Sequence, residues 1–140
     1  MPVFHHGTSR VFATAIAGTA ATGTIDVTRG EGEFGRGFYS QSSSGNAGRR
    51  GQSIYGNNRA FLVLTIDNQA YHALRFKRLK LNMAQSLNAK LAGNARKIYT
   101  TAHDVMVGPL VNEPRIEQQK FQTARAQTLL NGPLTQRTVR

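Results

Sequence analysis

The run Arg59-Ala60-Phe61-Leu62-Val63-Leu64-Thr65-Ile66-Asp67 is apolar at both odd and even positions. Successive side chains of a strand point to opposite faces, so such a run needs cover on both of them. It predicts a strand in the middle of a sheet, with a core that the rest of the chain must supply. A chain of 140 residues with 39% hydrophobic content fits one compact domain. That length buries roughly two thirds of the unfolded surface.

Lys and Arg number 18 against 7 Asp and Glu, a net charge of +11, which spreads a positive field over much of a domain this small. The matching partner is a polyanion: nucleic acid, an acidic protein surface, or an anionic small ligand in a basic cleft. A charge excess that serves solubility alone is the other reading. Cysteine is absent, which removes a disulfide framework, a thiol nucleophile and a cysteine zinc site. The four histidines are scattered and define no metal site. No apolar run reaches the ~18 residues of a membrane span. Met1-Pro2-Val3-Phe4-His5 lacks the charged start and apolar middle of a signal peptide, so the chain reads as soluble.

Pro2 to Thr8 predicts a short strand ending at glycine, with His5 and His6 on opposite faces and Phe4 sharing the face of His6. His6 then sits either in a cleft beside Gly7, whose backbone lies open to a ligand edge, or on the surface at a strand end. Ser9 to Ala21 predicts a short helix capped by Ser9, and Gly23 to Val27 a brief strand. The glycine-rich stretch Gln41 to Gln52 predicts a loop whose Arg49 and Arg50 either reach phosphates or stay solvated.

Arg75-Phe76-Lys77-Arg78-Leu79-Lys80-Leu81 alternates like a strand with one basic face. That face is a contact for an acidic partner or a solvated edge protected by lysines. Met83, Leu87, Leu91, Ala95 and Ile98 recur at three- and four-residue intervals and predict an amphipathic helix over Asn82 to Tyr99. His103 to Leu110 predicts a buried strand, Asn112-Glu113-Pro114 a turn, and Arg115 to Thr123 a loop entering a last strand. Ala124 to Leu130 predicts a short helix stopped at Asn131-Gly132-Pro133. The expected domain therefore runs over 1–132, and 133–140 is expected to be a frayed tail.

The stretch richest in chemistry is Gly32-Glu33-Phe34-Gly35-Arg36-Gly37-Phe38-Tyr39-Ser40, two aromatics and a serine behind glycines that hold an acid and an arginine. Gly35 and Gly37 permit a positive φ or a close approach to a flat ligand, and Phe38 to Ser40 reads as the start of a strand. Alternation sends Phe38 into a core and Tyr39 into a cleft. An ordinary hairpin turn has the same local pattern.

Taken together, His6-Gly7-Thr8, the glycine-led Phe38-Tyr39-Ser40, and the late strand preceded by Glu117-Gln118-Gln119 resemble the three signature motifs of the ADP-ribosyltransferases. The pieces His-Gly-Thr, Phe-Gly-Arg-Gly-Phe-Tyr, Asp-Val-Met-Val-Gly-Pro and Gln-x-x-Phe-x-Thr look like a bacterial toxin-type branch of the His-Tyr-Glu, diphtheria-toxin/PARP-like class. In that branch the last motif often presents glutamine. The resemblance runs from Val3 to about Leu130. It implies an α+β domain, a split β-sandwich of two small sheets around an NAD cleft with helices outside. It also implies NAD as the substrate, with ADP-ribose passed to an acceptor and nicotinamide released.

Carried over residue by residue, His6 would bond the adenosine ribose and Gly7 would meet the nicotinamide amide through its backbone, with Thr8 beside them. Tyr39 would stack on the nicotinamide ring. Phe38 would be core and Ser40 would support the same pocket. Counting three back from Phe121 gives Gln118 as the polar residue that binds the nicotinamide ribose and helps an oxocarbenium-like state form. Glu117 competes with it, since a bulge at the strand start exchanges the two. No motif fixes the residue that grips the pyrophosphate; Arg10, Arg36, Arg49 and Arg50 are candidates, Arg10 and Arg36 ahead, with Gly37 lining the same turn.

A toxin or effector of this kind would be secreted or delivered to act in the cytoplasm of a target cell. Its acceptor would be RNA, DNA or a protein, and a cognate acidic immunity protein would cover its basic cleft. NAD hydrolysis without transfer is a further outcome. The competing class is a non-enzymatic basic module that binds nucleic acid, which accounts for the charge and the Gly/Arg/Ser loop but not for His6, Tyr39 and Gln118.

Overall fold

The computed structural model describes residues 2–17, 24–30, 32–42, 56–91 and 102–140. Arg49, Arg50, Gly93, Ala95 and Ile98 lie outside them. The chain is α+β and divides into two units, Met1–Ile25 with Ser40–Tyr71 and Leu129–Arg140, and Asp26–Tyr39 with His72–Thr128. Among the described residues no helix is long and apolar enough to cross a membrane.

In the first unit β1 (Val3–Ser9) lies between β2 (Phe38–Gln41), through its Ser40–Gln41 end, and β3 (Arg59–Ile66); β7 (Thr135–Val139) follows on the far side of β3. All of these pairings are antiparallel. The doubly apolar strand is thus interior: on one face Leu62, Leu64 and Ile66 are fully buried, and on the other Val63 is buried with Phe61 and Thr65 half-buried beside it. The register pairs Phe4 with Leu64, His6 with Leu62 and Thr8 with Ala60, so these residues share one face, while His5 shares the other with Val63 and Phe61. Helix α1 (Arg10–Ala17) starts where Ser9 accepts the Phe12 amide hydrogen bond at 3.2 Å, a side-chain cap of the kind expected from serine at that position. It buries Ala13 and Ile16. Asp67 caps the five-residue α2 (Asn68–His72) by accepting from the Ala70 amide at 3.0 Å, and α2 brings Tyr71 within 5.2 Å of the Phe4 ring.

Three stretches fold otherwise than their sequence patterns predict. Residues 135–139 are not a frayed tail but β7, because Thr-Gln-Arg-Thr-Val alternates and pairs along β3 from Leu62↔Val139 to Ile66↔Thr135. Gly23 to Val27 forms no strand over its described part. Instead Asn131 brackets Ile25, accepting from its amide at 2.8 Å and donating to its carbonyl at 2.8 Å, and these bonds answer the backbone groups that a ladder would have. The strand expected over Arg75 to Leu81 is confined to β4 (Phe76–Arg78), and Leu81 already begins the next helix.

In the second unit the order is β4, β5 (Val105–Pro109), β6 (Glu117–Phe121), then the Phe38–Tyr39 end of β2. β4 and β5 are parallel, which requires a crossover; α3 (Leu81–Leu91) lies in it. β5 and β6 form an antiparallel pair whose turn is closed by the Ile116 amide on Glu113 and the Leu110 amide on Ile116. Ala84 and Leu91 are the buried residues of α3, Leu87 packs beside them half-buried, and Met83 stays exposed rather than joining them. Phe34, Ala84 and Met106 form the centre of this core, with Tyr39, Leu79, Leu87 and Val111 packed around them.

Helix α4 (Ala124–Asn131) is capped by Thr123, whose hydroxyl accepts from the Ala126 amide at 3.1 Å. That hydroxyl also donates to Asp104 at 2.5 Å, while the Arg75 amide donates to the other carboxylate oxygen at 2.8 Å. Asp104 is 1% exposed, and burial alone would raise its pKa. The Arg75 amide, the Thr123 hydroxyl and the charges of Arg125 and Arg75 overcome burial and hold it below its usual value.

Candidate functional site

The glycine stretch folds as a tight turn in front of β2. Gly35 has φ 88°, the left-handed conformation that glycine takes without a Cβ penalty. Gly37 has no positive φ; it permits a close approach, since a Cβ there would lie 2.5 Å from the Lys120 side chain. Gly32 does the same for Tyr39, where a Cβ would lie 2.5 Å from the ring carbon Cζ. The close approach expected of Gly35 or Gly37 is toward a flat ligand; at Gly37 the neighbour is a side chain of the unit's own core.

Three side chains fix this turn. Tyr39 accepts the Phe34 amide hydrogen bond at 2.9 Å and donates to the Gly35 carbonyl. From β6, Lys120 donates to the Phe34 carbonyl at 2.7 Å. Gln118, on the same strand face two residues earlier, donates from Nε2 to Oε1 of Glu33 at 3.2 Å. The same Glu33 oxygen accepts from the Val111 amide at 2.9 Å, which ties the turn to the β5–β6 loop. Glu33, Phe34 and Gly35 are therefore each held in place by a side chain from β2 or β6.

Gln118 is 3% exposed and faces the turn, whereas Glu117 is exposed and accepts from Gln119 at 3.3 Å. The ladder runs regularly from Val105↔Phe121 to Pro109↔Glu117, so no bulge exchanges Gln118 with Glu117. Phe38 is buried, as its place in the alternation predicts, and Tyr39 is half-buried with its ring 6.4 Å from that of Phe34. Arg36 is half-buried in the turn.

His6, Gly7, Thr8, Arg10 and Ser40 belong to the first unit. His6 lies on the α1 side of β1, its ring 6.2 Å from that of Phe12. Gly7 pairs with Phe61, Thr8 is buried and Arg10 is an exposed residue at the start of α1. The neighbouring His5 is the buried histidine. Burial and then the charge of Arg140 lower its pKa, and its Nδ1 has no hydrogen-bond partner. Ser40 is buried with an unpartnered hydroxyl.

Two residues escaped the sequence reading. Lys120 is fully buried, and desolvation lowers its pKa from 10.5 to about 8. Glu33 stood in the glycine stretch as an acid without a partner, because the residue it meets lies 85 positions further on. The signal for both was the β6 alternation, which sets Gln118 and Lys120 on one face. Among the described residues no group of three or more His, Asp or Glu could hold a metal ion.

Fold and site together define a small α+β protein in which a glycine turn, an aromatic strand and a glutamine-bearing strand are joined by hydrogen bonds. No protein-family model matches the chain, and no curated protein matches it.

Proposed function

We propose that the chain is a mono-ADP-ribosyltransferase that uses NAD as donor and a macromolecule as acceptor. The observation that carries this reading is the connection, within one unit, of Tyr39, the Gly32–Gly37 turn and Gln118 through the bonds at Glu33, Phe34 and Gly35. Those are the second and third stretches in which the sequence resembles that family. The finer fold that accompanies this reading is the split β-sandwich around an NAD cleft.

In the reaction the bond between the nicotinamide nitrogen and ribose C1′ breaks, and its electron pair leaves with nicotinamide. The ribosyl cation is captured by a nucleophile of the acceptor, which gives up its proton to solvent. Gln118 accepts from the nicotinamide ribose hydroxyl and Tyr39 offers its ring to the nicotinamide. The family resemblance would give His6 and Gly7, which belong to the first unit, the adenosine ribose and the nicotinamide amide. Water in place of the acceptor turns the same step into NAD hydrolysis.

The test is nicotinamide release from NAD, and transfer of adenylate-labelled ADP-ribose to RNA, DNA and protein fractions. It is run on the wild type and on His6→Ala, Tyr39→Ala and Gln118→Ala. Release by the wild type that each substitution removes supports the transferase. Background signal from all four leaves the alternative, a basic nucleic-acid-binding module. The observation in favour of that alternative is the run of exposed cations Arg75, Lys77, Arg78 and Lys80 along and beside β4.

A further inference from the structure

A glutamine at the position that faces the ribosyl cation can accept a hydrogen bond but brings no charge, and the developing cation calls for one. Glu33 is the acid that touches that glutamine. Its Oε1 accepts from Gln118 Nε2 at 3.2 Å and from the Val111 amide at 2.9 Å. Gln118 is buried, so the contact is shielded from water on the glutamine side. The turn that carries Glu33 is not left to find its place. The next residue, Phe34, is bonded at its amide by Tyr39 and at its carbonyl by Lys120, and Gly35 supplies the left-handed bend that follows.

We propose that Glu33 is the carboxylate of this site, a positioning residue that acts through Gln118, and the inference rests on the transferase reading above. By accepting from Nε2, Glu33 fixes which way the Gln118 amide points and leaves Oε1 of Gln118 as the atom offered to the sugar. A carboxylate on the N–H side of an amide also polarises it, making its carbonyl oxygen a stronger acceptor. The negative charge thus reaches the ribosyl cation across one amide group. A single glutamate in the third motif would supply it directly. Here the work is divided between Gln118 on β6 and Glu33 in the turn before β2.

The test is a charge exchange read by steady-state nicotinamide release from NAD, with thermal unfolding followed by circular dichroism on every variant. Glu33→Gln keeps the side-chain volume and an acceptor oxygen for the Val111 amide but removes the charge. Its kcat is expected to fall about 10- to 100-fold, with KM for NAD changed by less than about threefold. Gln118→Glu alone sets two carboxyl groups within hydrogen-bond distance. Like charges that close repel, and its kcat is expected to stay below that of the double variant, which keeps only one of them.

The double variant Glu33→Gln/Gln118→Glu restores one carboxylate and one amide with the positions reversed. Its kcat is expected to recover to at least about tenfold above Glu33→Gln. Wild-type kcat in Glu33→Gln, or a double variant no better than Glu33→Gln, overturns the inference while the transferase stands. A wild type that releases no nicotinamide overturns both. If Glu33→Gln fails to fold, the double variant decides alone: kcat within about tenfold of the wild type supports the divided carboxylate, and a lower value overturns it.

Discussion

Lys120 donates a 2.7 Å hydrogen bond to the carbonyl of Phe34 from a fully buried position on β6. An ammonium withdrawn from water is costly, and burial lowers its pKa from 10.5 to about 8. Below about pH 8 the group is charged in both folded and unfolded chains, and the native state carries the whole penalty. Between about 8 and 10.5 the unfolded chain binds more protons, so stability rises with pH, by about 3 kcal/mol over the window. Urea unfolding at pH 7, 8, 9 and 10 on the wild type and Lys120→Met checks this. The difference in unfolding free energy between the two is expected to shift in favour of the wild type as pH rises, and a flat difference contradicts it.

The Tyr39 hydroxyl serves two backbone groups of the turn, the Phe34 amide and the Gly35 carbonyl. Tyr39→Phe keeps the ring and its packing on Phe34 but leaves both groups without that partner. The expected cost is about 1–3 kcal/mol in chemical denaturation. Nicotinamide release is expected to fall several-fold in Tyr39→Phe and to reach background in Tyr39→Ala. Such a split separates the hydroxyl, which holds the turn, from the ring, which meets the nicotinamide.

What could be read from the sequence was what local pattern determines. The doubly apolar run became the interior β3, Ser9 capped α1, and Asn112 to Pro114 turned between β5 and β6. Phe38 went into the core, as alternation along β2 predicts, and Gln118 met the turn on the face that it shares with Lys120, whereas Glu117 at the start of β6 stayed exposed. What depended on a distant partner was not legible. Thr135 to Val139 looks like a polar tail until it pairs with β3. Ile25 and Val27 look like a strand, yet their amides are answered by Asn131 and Gln127, 106 and 100 residues away. Glu33 and Lys120 acquire meaning only when β6 lies beside the turn, a relation that no window of the sequence contains.

Asp104 closes a second network, in which its carboxylate accepts from the Arg75 amide and the Thr123 hydroxyl, and Thr123 in turn caps α4. Its pKa is held below 3.8 in the folded chain despite burial. A depressed acid stabilises the fold above its unfolded pKa, and that contribution is lost as pH falls from about 3.8 through the folded value. Asp104→Asn can offer only one acceptor where two donors converge, and is expected to lose about 2 kcal/mol at pH 7. Guanidinium unfolding of both proteins at pH 7, 4, 3 and 2 should show the gap narrowing toward the acid end. A gap independent of pH would assign the loss to packing instead.

Two alanine substitutions in the turn separate backbone strain from steric exclusion. At Gly35 the backbone has φ 88°, a conformation that costs a residue with a Cβ about 1 kcal/mol. Asparagine tolerates it better than alanine, so Gly35→Asn should lose less stability than Gly35→Ala. At Gly32 the obstacle is an atom rather than an angle, since a Cβ would stand 2.5 Å from the Tyr39 Cζ and 2.8 Å from both Cε carbons. The ring cannot give way without pulling its hydroxyl from Phe34 and Gly35. Gly32→Ala is therefore expected to cost about 1–3 kcal/mol, and to abolish the benefit of the hydroxyl. In a double-mutant cycle of Gly32→Ala with Tyr39→Phe, the second substitution should cost little once the first is made. Additive losses would mean that the ring and Gly32 do not meet in solution.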